Sequence, residues 1–194
     1  MSLPQRLIVG ISGASGAILG IRLLEAVAGM EAVETHLVIT PAAQQTIRGE
    51  TGRRLQDVEA LAGAVYPPDD VGAAIASGSF PAYGMVVIPC SIKTLSAVAQ
   101  SYSADLMSRA ADVTLKEGRP LVLVVRETPL HVGHLRLMLQ AAEQGAIIFP
   151  PVPAFYARPA SIEQLVDHTV GRVLARLGIE NQLAARWEGE QPTP

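Results

Sequence analysis

A glycine- and serine-rich segment near the amino terminus constrains the fold of this chain most. The segment Gly10-Ile-Ser-Gly-Ala-Ser-Gly16 directly follows an apolar run over residues 7–9. After it, residues 17–28 repeat apolar side chains at helical spacing. This pattern predicts a buried strand, a tight turn and an amphipathic helix. Because the turn directs backbone N–H groups toward the positive end of the helix dipole, it predicts an anion site, most often a site for phosphate.

Strand and helix patterns alternate along the rest of the chain. Four more strands are predicted at residues 33–39, 84–88, 121–125 and 146–149. Helices are predicted to begin after Thr40 and after the segment 89–94, and to cover residues 105–117, 132–144 and 161–177. The alternation predicts a three-layer α/β/α sandwich, in which helices cover both faces of a parallel sheet. We expect one domain over residues 1–187, an irregular stretch at 63–83 and a disordered tail at 188–194.

The composition excludes several classes of protein. The chain has 194 residues and a net charge of −3, and it has no basic stripe, so a nucleic-acid partner is not expected. No apolar run has the roughly 18–20 residues of a membrane span, and the cytoplasm is the expected location. The single Cys90 excludes an internal disulfide and a cysteine-rich metal site. Only 17% of the residues are charged, against about 25% in a typical soluble domain, which predicts extensive burial between subunits.

The predicted strand ends place polar groups at one edge of the sheet, where open parallel sheets bind their ligands. These residues offer hydroxyls, helix N-termini and a guanidinium, and they are Gly13 to Ser15, Thr40, Ser91 to Thr94, Arg126, Glu127 and Tyr156. The glycines of the first turn are spaced GxxGxxG, whereas a dinucleotide fingerprint needs GxGxxG and an acidic residue after the second strand. The second strand ends in Thr40 instead, and the GK[ST] ending of a P-loop is missing. The pattern therefore favours a mononucleotide such as FMN.

Several of these residues also have ordinary structural explanations. A helix N-cap is an equally good role for Ser15 and for its neighbour Ser12, and Thr40 is expected to be an N-cap whatever else it does. Ser91 and Thr94 have the same structural explanation. Lys116 lies four residues after Asp112, which predicts an ion pair on a helix surface. Arg172 is also compatible with a solvated helix position. His131 and His134 form only a weak metal-binding pair with no third ligand near them, so we expect no metal.

Eight short segments, in order and at compatible spacing, match one family of enzymes. They are Gly10-Ile-Ser-Gly-Ala-Ser-Gly16, Pro89-Cys-Ser-Ile-Lys-Thr-Leu95, Arg109-Ala-Ala-Asp-Val113, Leu115-Lys-Glu-Gly-Arg-Pro-Leu121, Val125-Arg-Glu-Thr-Pro129, His134-Leu-Arg136, Pro150-Pro-Val-Pro-Ala-Phe-Tyr156 and Arg186-Trp187. On these segments the chain resembles the UbiX family of flavin prenyltransferases along nearly its whole length.

The resemblance implies a flavodoxin-like or Rossmann-like flavoprotein fold, assembled as a homododecamer. It implies that the protein binds reduced FMN and dimethylallyl phosphate and joins the prenyl C1′ to flavin N5 and C3′ to C6. The product would be prenylated FMN, the cofactor of UbiD-type decarboxylases, including the one in ubiquinone biosynthesis. A UbiD-type decarboxylase is thus the implied recipient of the product.

The resemblance also assigns roles to individual residues. FMN would be bound by Gly13, Ala14, Ser15, Thr40, Ser91, Ile92, Lys93, Thr94 and Arg126. Dimethylallyl phosphate would be bound by Tyr156, Arg172, Lys116, Arg126, Glu127 and Trp187. The implied catalytic residues are Ser15, Glu50, Lys116 and Glu127. Cationic groups would stabilise the leaving phosphate without a metal, and Glu127 or the phosphate, with Ser15 as relay, would accept the proton from C6.

One difference from the family lies at Thr40-Pro41, which stands where many relatives have Ser-Lys, so the electrostatics near the flavin differ there.

Two alternatives remain beside the transferase. A carrier or subunit that holds FMN for an aromatic acid decarboxylase is the first alternative. The second is a flavin-dependent cysteine decarboxylase of related fold, which needs a catalytic histidine where none stands between His36 and His131.

Overall fold

The computed structural model of the protein describes residues 4–185 and residue 189. Its strands are β1 (Gln5–Ile11), β2 (Val33–Ile39), β3 (Ala64–Tyr66), β4 (Ala82–Cys90), β5 (Leu121–Val125) and β6 (Ile147–Ile148). Its helices are α1 (Ala17–Val27), α2 (Pro41–Thr51), α3 (Leu55–Glu59), α4 (Ile92–Ala99), α5 (Leu106–Lys116), α6 (Val132–Glu143) and α7 (Ile162–Arg176). None of the helices in this described part is long and apolar enough to cross a membrane.

The six strands form one sheet in the order β3-β2-β1-β4-β5-β6, and every pair is parallel. Alternate side chains of β1 point to opposite faces. Leu7, Val9 and Ile11 pack into one core with α1, α2 and α7, whereas Ile8 packs into a second core with α4, α5 and α6. This is the predicted three-layer sandwich.

The strand order reverses between β1 and β4, since the chain moves outward from β1 to β3 and then returns to the other side of β1. In open α/β sheets the ligand crevice lies at the carboxyl ends of the strands, at this reversal. We call this edge of the sheet the carboxyl edge and the opposite one the amino edge. The crevice lies between the loops that follow β1 and β4.

The stretch 63–83, expected to be irregular, contains the edge strand β3 and a short 3₁₀ turn at Ala74–Ala76. The sequence also missed α3, and it gave β6 four residues where the structure has two. β3 has only three residues, and Val65 at its centre is 42% exposed, so it lacks the apolar run of a buried strand. Apart from residue 189, the tail predicted at 188–194 lies outside the described residues.

Candidate active site

Ser12 links the glycine-rich turn to the loop that follows β4. Its side chain is 1% exposed. The Oγ atom donates a hydrogen bond to the carbonyl oxygen of Pro89 at 2.9 Å and accepts one from the amide of Ser91 at 2.7 Å. This bridge lies where the strand order reverses, at the base of the crevice. The helix-cap role considered for Ser12 is therefore wrong, because Gly16 occupies the N-cap position of α1.

The first turn of α1 already binds an anion, and this anion is a side chain of the protein. The Glu50 carboxylate, from the last turn of α2, accepts hydrogen bonds from the amides of Gly16 at 2.8 Å and Ala17 at 3.0 Å. Gly16 has a φ of +97°, a left-handed conformation that glycine adopts without steric cost. A carboxylate at the positive end of a helix dipole is stabilising. A phosphate must therefore find its donors elsewhere along the crevice.

Ser15 and Arg126 complete the surroundings of this carboxylate. Burial on its own would raise the pKa of Glu50, but hydrogen bonds from Ser15 and the two amides, together with the positive charge of Arg126, outweigh it and lower that pKa. Glu50 is therefore ionised at neutral pH. The amide of Arg126 donates to the carbonyl oxygen of Cys90 at 3.0 Å, which fixes this residue directly after β5. Three of the predicted site residues thus meet at the first turn of α1.

Two further helices begin at the carboxyl edge and leave backbone donors open. The Thr40 hydroxyl caps α2 and the Ser91 hydroxyl caps α4, each by accepting the amide three residues later, at 3.2 and 3.3 Å. Each cap satisfies only one of the first amides of its helix, and the others have no acceptor within the helix. At α4 the amides of Ile92 and Lys93 have no acceptor among the residues that the structure describes, and these are its open donors.

Gly13 allows the turn after β1 to lie directly against the start of α2. A Cβ atom at position 13 would lie 2.4 Å from the Cβ of Ala42, closer than real Cβ atoms approach. The crevice is therefore lined by backbone at this point, between the hydroxyls of Ser15 and Thr40. Backbone amides, helix N-termini and hydroxyls are the donors that a phosphate and a polyhydroxyl chain need. The donor set fits FMN, which the sequence predicts.

An apolar cavity of about 230 Å³ opens beside Ser15 and Arg126. Its other walls are mainly aliphatic side chains and proline rings, from Ile18, Leu19, Pro151, Pro153, Leu165 and Val166. The cavity combines an apolar wall with two hydroxyl-bearing residues, Ser15 and Thr169, and one arginine, Arg126. This arrangement suits a small apolar group that carries an anionic end.

Tyr156 and Arg172 line a second, larger groove of about 930 Å³ along α7. Tyr156 lies in a 3₁₀ turn, and its hydroxyl is 3.0 Å from Nε2 of His168, a buried residue of α7. This groove shares none of its described lining residues with the cavity at Ser15. Two of the predicted phosphate ligands are therefore together, but within one chain they line a different space from Ser15.

Lys116 lies at the amino edge of the sheet. It ends α5, its ammonium lies beside Gly78 in the loop that precedes β4, and it pairs with the Glu117 carboxylate. Asp112 pairs with Arg109 at 3.2 Å, because that guanidinium lies one helical turn earlier on the same face. The predicted ion pair between Lys116 and Asp112 is therefore wrong. Within one chain Lys116 also lies away from the crevice.

The other predicted residues occupy less decisive positions. Glu127 is exposed beside Arg126, and its carboxylate accepts the amide of Thr128 at 3.0 Å. His131 caps α6 through Nδ1. The described residues contain no group of three potential metal ligands. Trp187 lies outside the part of the chain that the structure describes.

Comparison with known proteins identifies the family. The profile of the family called Flavoprotein matches residues 1–174. The chain is 58% identical over 187 residues to flavin prenyltransferase UbiX of Escherichia coli strain K12, an alignment that covers 95% of this chain and 99% of that protein. The chain belongs to the UbiX family of flavin prenyltransferases.

Two solved structures extend this result to the fold of the UbiX family. The crystal structure of AnUbiX (PadA1) in complex with FMN and dimethylallyl pyrophosphate has a TM-score of 0.94 at 49% identity, covering 97% of this chain and all (100%) of that one. The dodecameric FMN-dependent UbiX-like decarboxylase of Escherichia coli O157:H7 has a TM-score of 0.93 at 50% identity, covering 95% and 100% of the two chains. The predicted flavoprotein fold and the predicted enzyme class, a flavin prenyltransferase, are confirmed.

The chain resembles cysteine decarboxylases in its fold alone. The FMN-dependent cysteine decarboxylase SpaF matches this chain at 22% identity with a TM-score of 0.60, far below the UbiX structures.

Sequence reasoning missed His168, which contacts Tyr156, and Thr169, which lines the cavity beside Ser15. The only signal for His168 was its position four residues before Arg172, on the same face of a helix.

Proposed function

We propose that the protein transfers a dimethylallyl group from dimethylallyl phosphate to N5 and C6 of reduced FMN. The observation that carries the proposal is an apolar cavity lined by Ser15 and Arg126, with the Glu50 carboxylate hydrogen-bonded to Ser15 and to the amide of Gly16 next to it. A carrier of FMN alone does not need a carboxylate, a hydroxyl and a guanidinium around a separate apolar cavity.

The crevice residues would bind FMN through its phosphate and hydroxyl chain. The proposed contacts are the backbone and hydroxyl groups of Gly13, Ala14, Ser15, Thr40, Ser91, Ile92, Lys93 and Thr94, with the guanidinium of Arg126. Bound there, reduced FMN supplies the nucleophilic N5 and C6 that accept the prenyl carbons. The apolar cavity beside Ser15 would hold the five-carbon chain and exclude water from the allylic carbon as its bond to oxygen breaks.

Two groups of residues would then manage charge and protons. Tyr156, Arg172 and Lys116 would stabilise the negative charge that grows on the leaving phosphate. Ser15 is hydrogen-bonded to Glu50, and the lowered pKa of Glu50 keeps its carboxylate ionised. Ser15 would relay the proton from C6 toward Glu50, toward Glu127 or toward the departing phosphate.

We also propose that the protein assembles as a homododecamer and that its sites are completed between copies. One chain holds its predicted phosphate ligands at three separate places: Arg126 in the crevice, Tyr156 with Arg172 along α7, and Lys116 at the amino edge. Large apolar side chains are also left exposed, including Val152 at 74%, Phe155 at 73% and Ile162 at 74%. Patches of this kind are typical of protein interfaces.

The decisive experiment is an anaerobic incubation of the protein with reduced FMN and dimethylallyl phosphate, followed by mass analysis of the extracted flavin. We expect a flavin heavier by one C5H8 unit and the release of one inorganic phosphate for each turnover. Parallel reactions with dimethylallyl pyrophosphate determine which donor is used. Unmodified FMN with both donors would refute the transferase and favour the carrier. Addition of the product to a UbiD-type apo-decarboxylase tests the proposed recipient.

The cytoplasmic location of the protein stays a prediction.

A mixing experiment tests completion of the site between copies. Lys116→Ala and Ser15→Ala chains are expressed separately and together, and their masses in solution are measured by light scattering. Each variant alone is expected to lose most of its activity, whereas mixed oligomers regain part of it because some sites receive both intact residues. A monomeric wild-type protein, or mixed oligomers with no recovered activity, would contradict this proposal.

A further inference from the structure

The loop at residues 77–80, which precedes β4, packs directly against the end of α5. The Arg119 side chain fixes the loop there, since its guanidinium donates to the carbonyl oxygens of Gly78 at 2.9 Å and Phe80 at 2.7 Å. The amide of Phe80 also donates to the carbonyl oxygen of Ser77 at 3.1 Å, which closes the loop into a turn. The loop is thus fixed to the same segment of chain that carries Lys116.

Gly78 leaves room beside this loop for the ion pair of Lys116 and Glu117. A Cβ atom at position 78 would lie 2.7 Å from Nζ of Lys116 and 2.9 Å from Cδ of Glu117, closer than real Cβ atoms approach. The backbone of Gly78 lies outside the left-handed region, so its conformation alone does not require glycine. The missing side chain matters here because it gives the two charged groups their place.

Glu117 is the acceptor that holds the ammonium of Lys116. An ammonium has three N–H donors, and the Glu117 carboxylate is the one acceptor that contacts this ammonium among the described residues, so two donors remain open. The hydrogen bond from Lys116, the charge of Lys116 and the charge of Arg119 lower the pKa of Glu117, so its carboxylate is ionised at neutral pH. Two cations beside one carboxylate leave a net positive charge on this group.

Lys116 needs such a support because of where it lies. It is the last residue of α5, and its side chain is 47% exposed. A lysine side chain in solvent samples many rotamers, and restricting them when a ligand binds costs affinity. The Glu117 carboxylate and the backbone at Gly78 restrict these rotamers before a ligand is present. The open N–H donors are therefore held in one place.

We propose that Gly78 and Glu117 are positioning residues, which hold the ammonium of Lys116 so that its open N–H donors bind a phosphate group. Gly78 provides the space for the ion pair, and Glu117 accepts one N–H and leaves the others to the phosphate. Both residues act through Lys116 and do not contact the phosphate themselves. The identity of that phosphate as the one of dimethylallyl phosphate, bound at a site completed by a neighbouring copy, rests on the proposed function.

Three variants of the assembled protein test the inference. The kcat/KM for dimethylallyl phosphate at saturating reduced FMN is measured together with the Kd for FMN and the thermal midpoint. Gly78→Ala displaces only the flexible ends of two side chains, and we expect kcat/KM to fall about tenfold while the Kd for FMN and the midpoint stay unchanged. Glu117→Ala should cause a similar loss, whereas Glu117→Gln keeps an acceptor of the same size and should stay within about threefold of wild type.

A matched control and a double variant separate positioning from a general effect of the loop. Gly72 also lies in the stretch 63–83, but a Cβ atom there would meet no atom closer than 3.6 Å, so Gly72→Ala should keep wild-type kcat/KM. In a Lys116→Met background, Gly78→Ala should cause no further loss. The inference is overturned if Gly78→Ala or Glu117→Ala has a wild-type or higher kcat/KM. It is also overturned if Gly78→Ala lowers activity equally in the Lys116→Met background, or if Gly72→Ala reproduces the loss.

A labelling experiment keeps this test separate from the proposed function. The sequence has two lysines, Lys93 and Lys116, so trace acetylation of the FMN-loaded protein and mass analysis of its peptides give the labelling rate of Lys116 relative to Lys93. Inorganic phosphate should slow the labelling of Lys116 in the wild type, and Gly78→Ala should need about tenfold more phosphate for the same protection. If dimethylallyl phosphate is not turned over, the proposed function fails, yet this difference in protection would still support the positioning of Lys116. Equal protection in the two proteins, or no protection in the wild type, would overturn it.

Discussion

Ser12→Ala tests how the crevice is constructed. The change removes a buried hydroxyl that bonds to the Pro89 carbonyl oxygen at 2.9 Å and to the Ser91 amide at 2.7 Å. The Pro89 carbonyl oxygen keeps a second hydrogen bond, from the Ser12 amide at 3.2 Å. The Ser91 amide has only the Ser12 hydroxyl as an acceptor among the described residues. Ser12→Ala therefore leaves the Ser91 amide without an acceptor among the described residues, whereas the Pro89 carbonyl oxygen stays hydrogen-bonded.

The expected magnitude follows from these partners. A buried amide left without an acceptor costs about 1–3 kcal/mol, and an ordinary hydrogen bond contributes about 0.5–1.5 kcal/mol. Together they predict a loss of about 2–4 kcal/mol, which corresponds to a thermal midpoint lower by about 5–15 °C at a fixed protein concentration. The substitution also disconnects the loop after β1, which contains Ser15, from the loop after β4, which leads into the open amides of α4. We therefore also expect FMN to bind at least about tenfold more weakly, because its donors are no longer preorganised.

The assays are thermal unfolding and titration of FMN by its fluorescence. Thr114→Val is the matched control, since Thr114 is 1% exposed and its hydroxyl donates to the Ala110 carbonyl oxygen at 2.7 Å on α5, away from the crevice. This control should lose stability and keep its affinity for FMN. If Ser12→Ala has the thermal midpoint of wild type, or if its FMN affinity matches that of Thr114→Val, the account of the bridge is refuted.

Three further predictions concern the same edge of the sheet. Glu50→Gln should lower the free energy of unfolding by about 0.5–1 kcal/mol at pH 7. Because the folded-state pKa of Glu50 is lowered, this contribution exists above the ordinary pKa and is lost as pH falls through the lowered one, so acid unfolding curves of variant and wild type should converge. Gly13→Ala should destabilise by about 1–3 kcal/mol through its clash with Ala42, and Ala42→Gly should rescue it, as measured by thermal unfolding. Burial raises the pKa of the Cys90 thiol to about 12, so mass analysis should find no alkylation by iodoacetamide at pH 8 until the protein unfolds.

The elements of the fold could be predicted where burial gives a strong pattern. β1, β4 and β5 contain apolar runs and β2 ends in one at residues 37–39, because helices cover both faces of the sheet there, and caps such as Thr40 mark where the helices begin. β3 was missed because an edge strand of three residues is only partly buried. The strand order was not predictable, since periodicity shows which face a side chain joins but not which strand lies beside it.

The site was predictable as a set of strand ends but not as a set of contacts. The glycine-rich turn correctly indicated an anion at the start of α1, yet that anion is the carboxylate of Glu50. No local pattern joins Glu50 to Ser15, because their contact exists only when α2 packs against α1. Glu50 entered the sequence analysis through the family resemblance alone. Ser12 looked like a helix cap for the same reason, because its acceptor Pro89 is supplied by a distant strand.

The low charge fraction and the scattered phosphate ligands have one explanation in common. Lys116 projects at the amino edge, Arg126 at the carboxyl edge, and Arg172 from the outer face of a helix. One chain holds these three cations at separate places, and the proposed assembly would bring cations of different copies around one phosphate. The proposed assembly would also bury the apolar side chains that one chain leaves exposed, which would remove the need for a charged surface there. The same contacts that make this chain poor in charge would therefore assemble its substrate site, and we expect substrate binding and assembly to depend on each other.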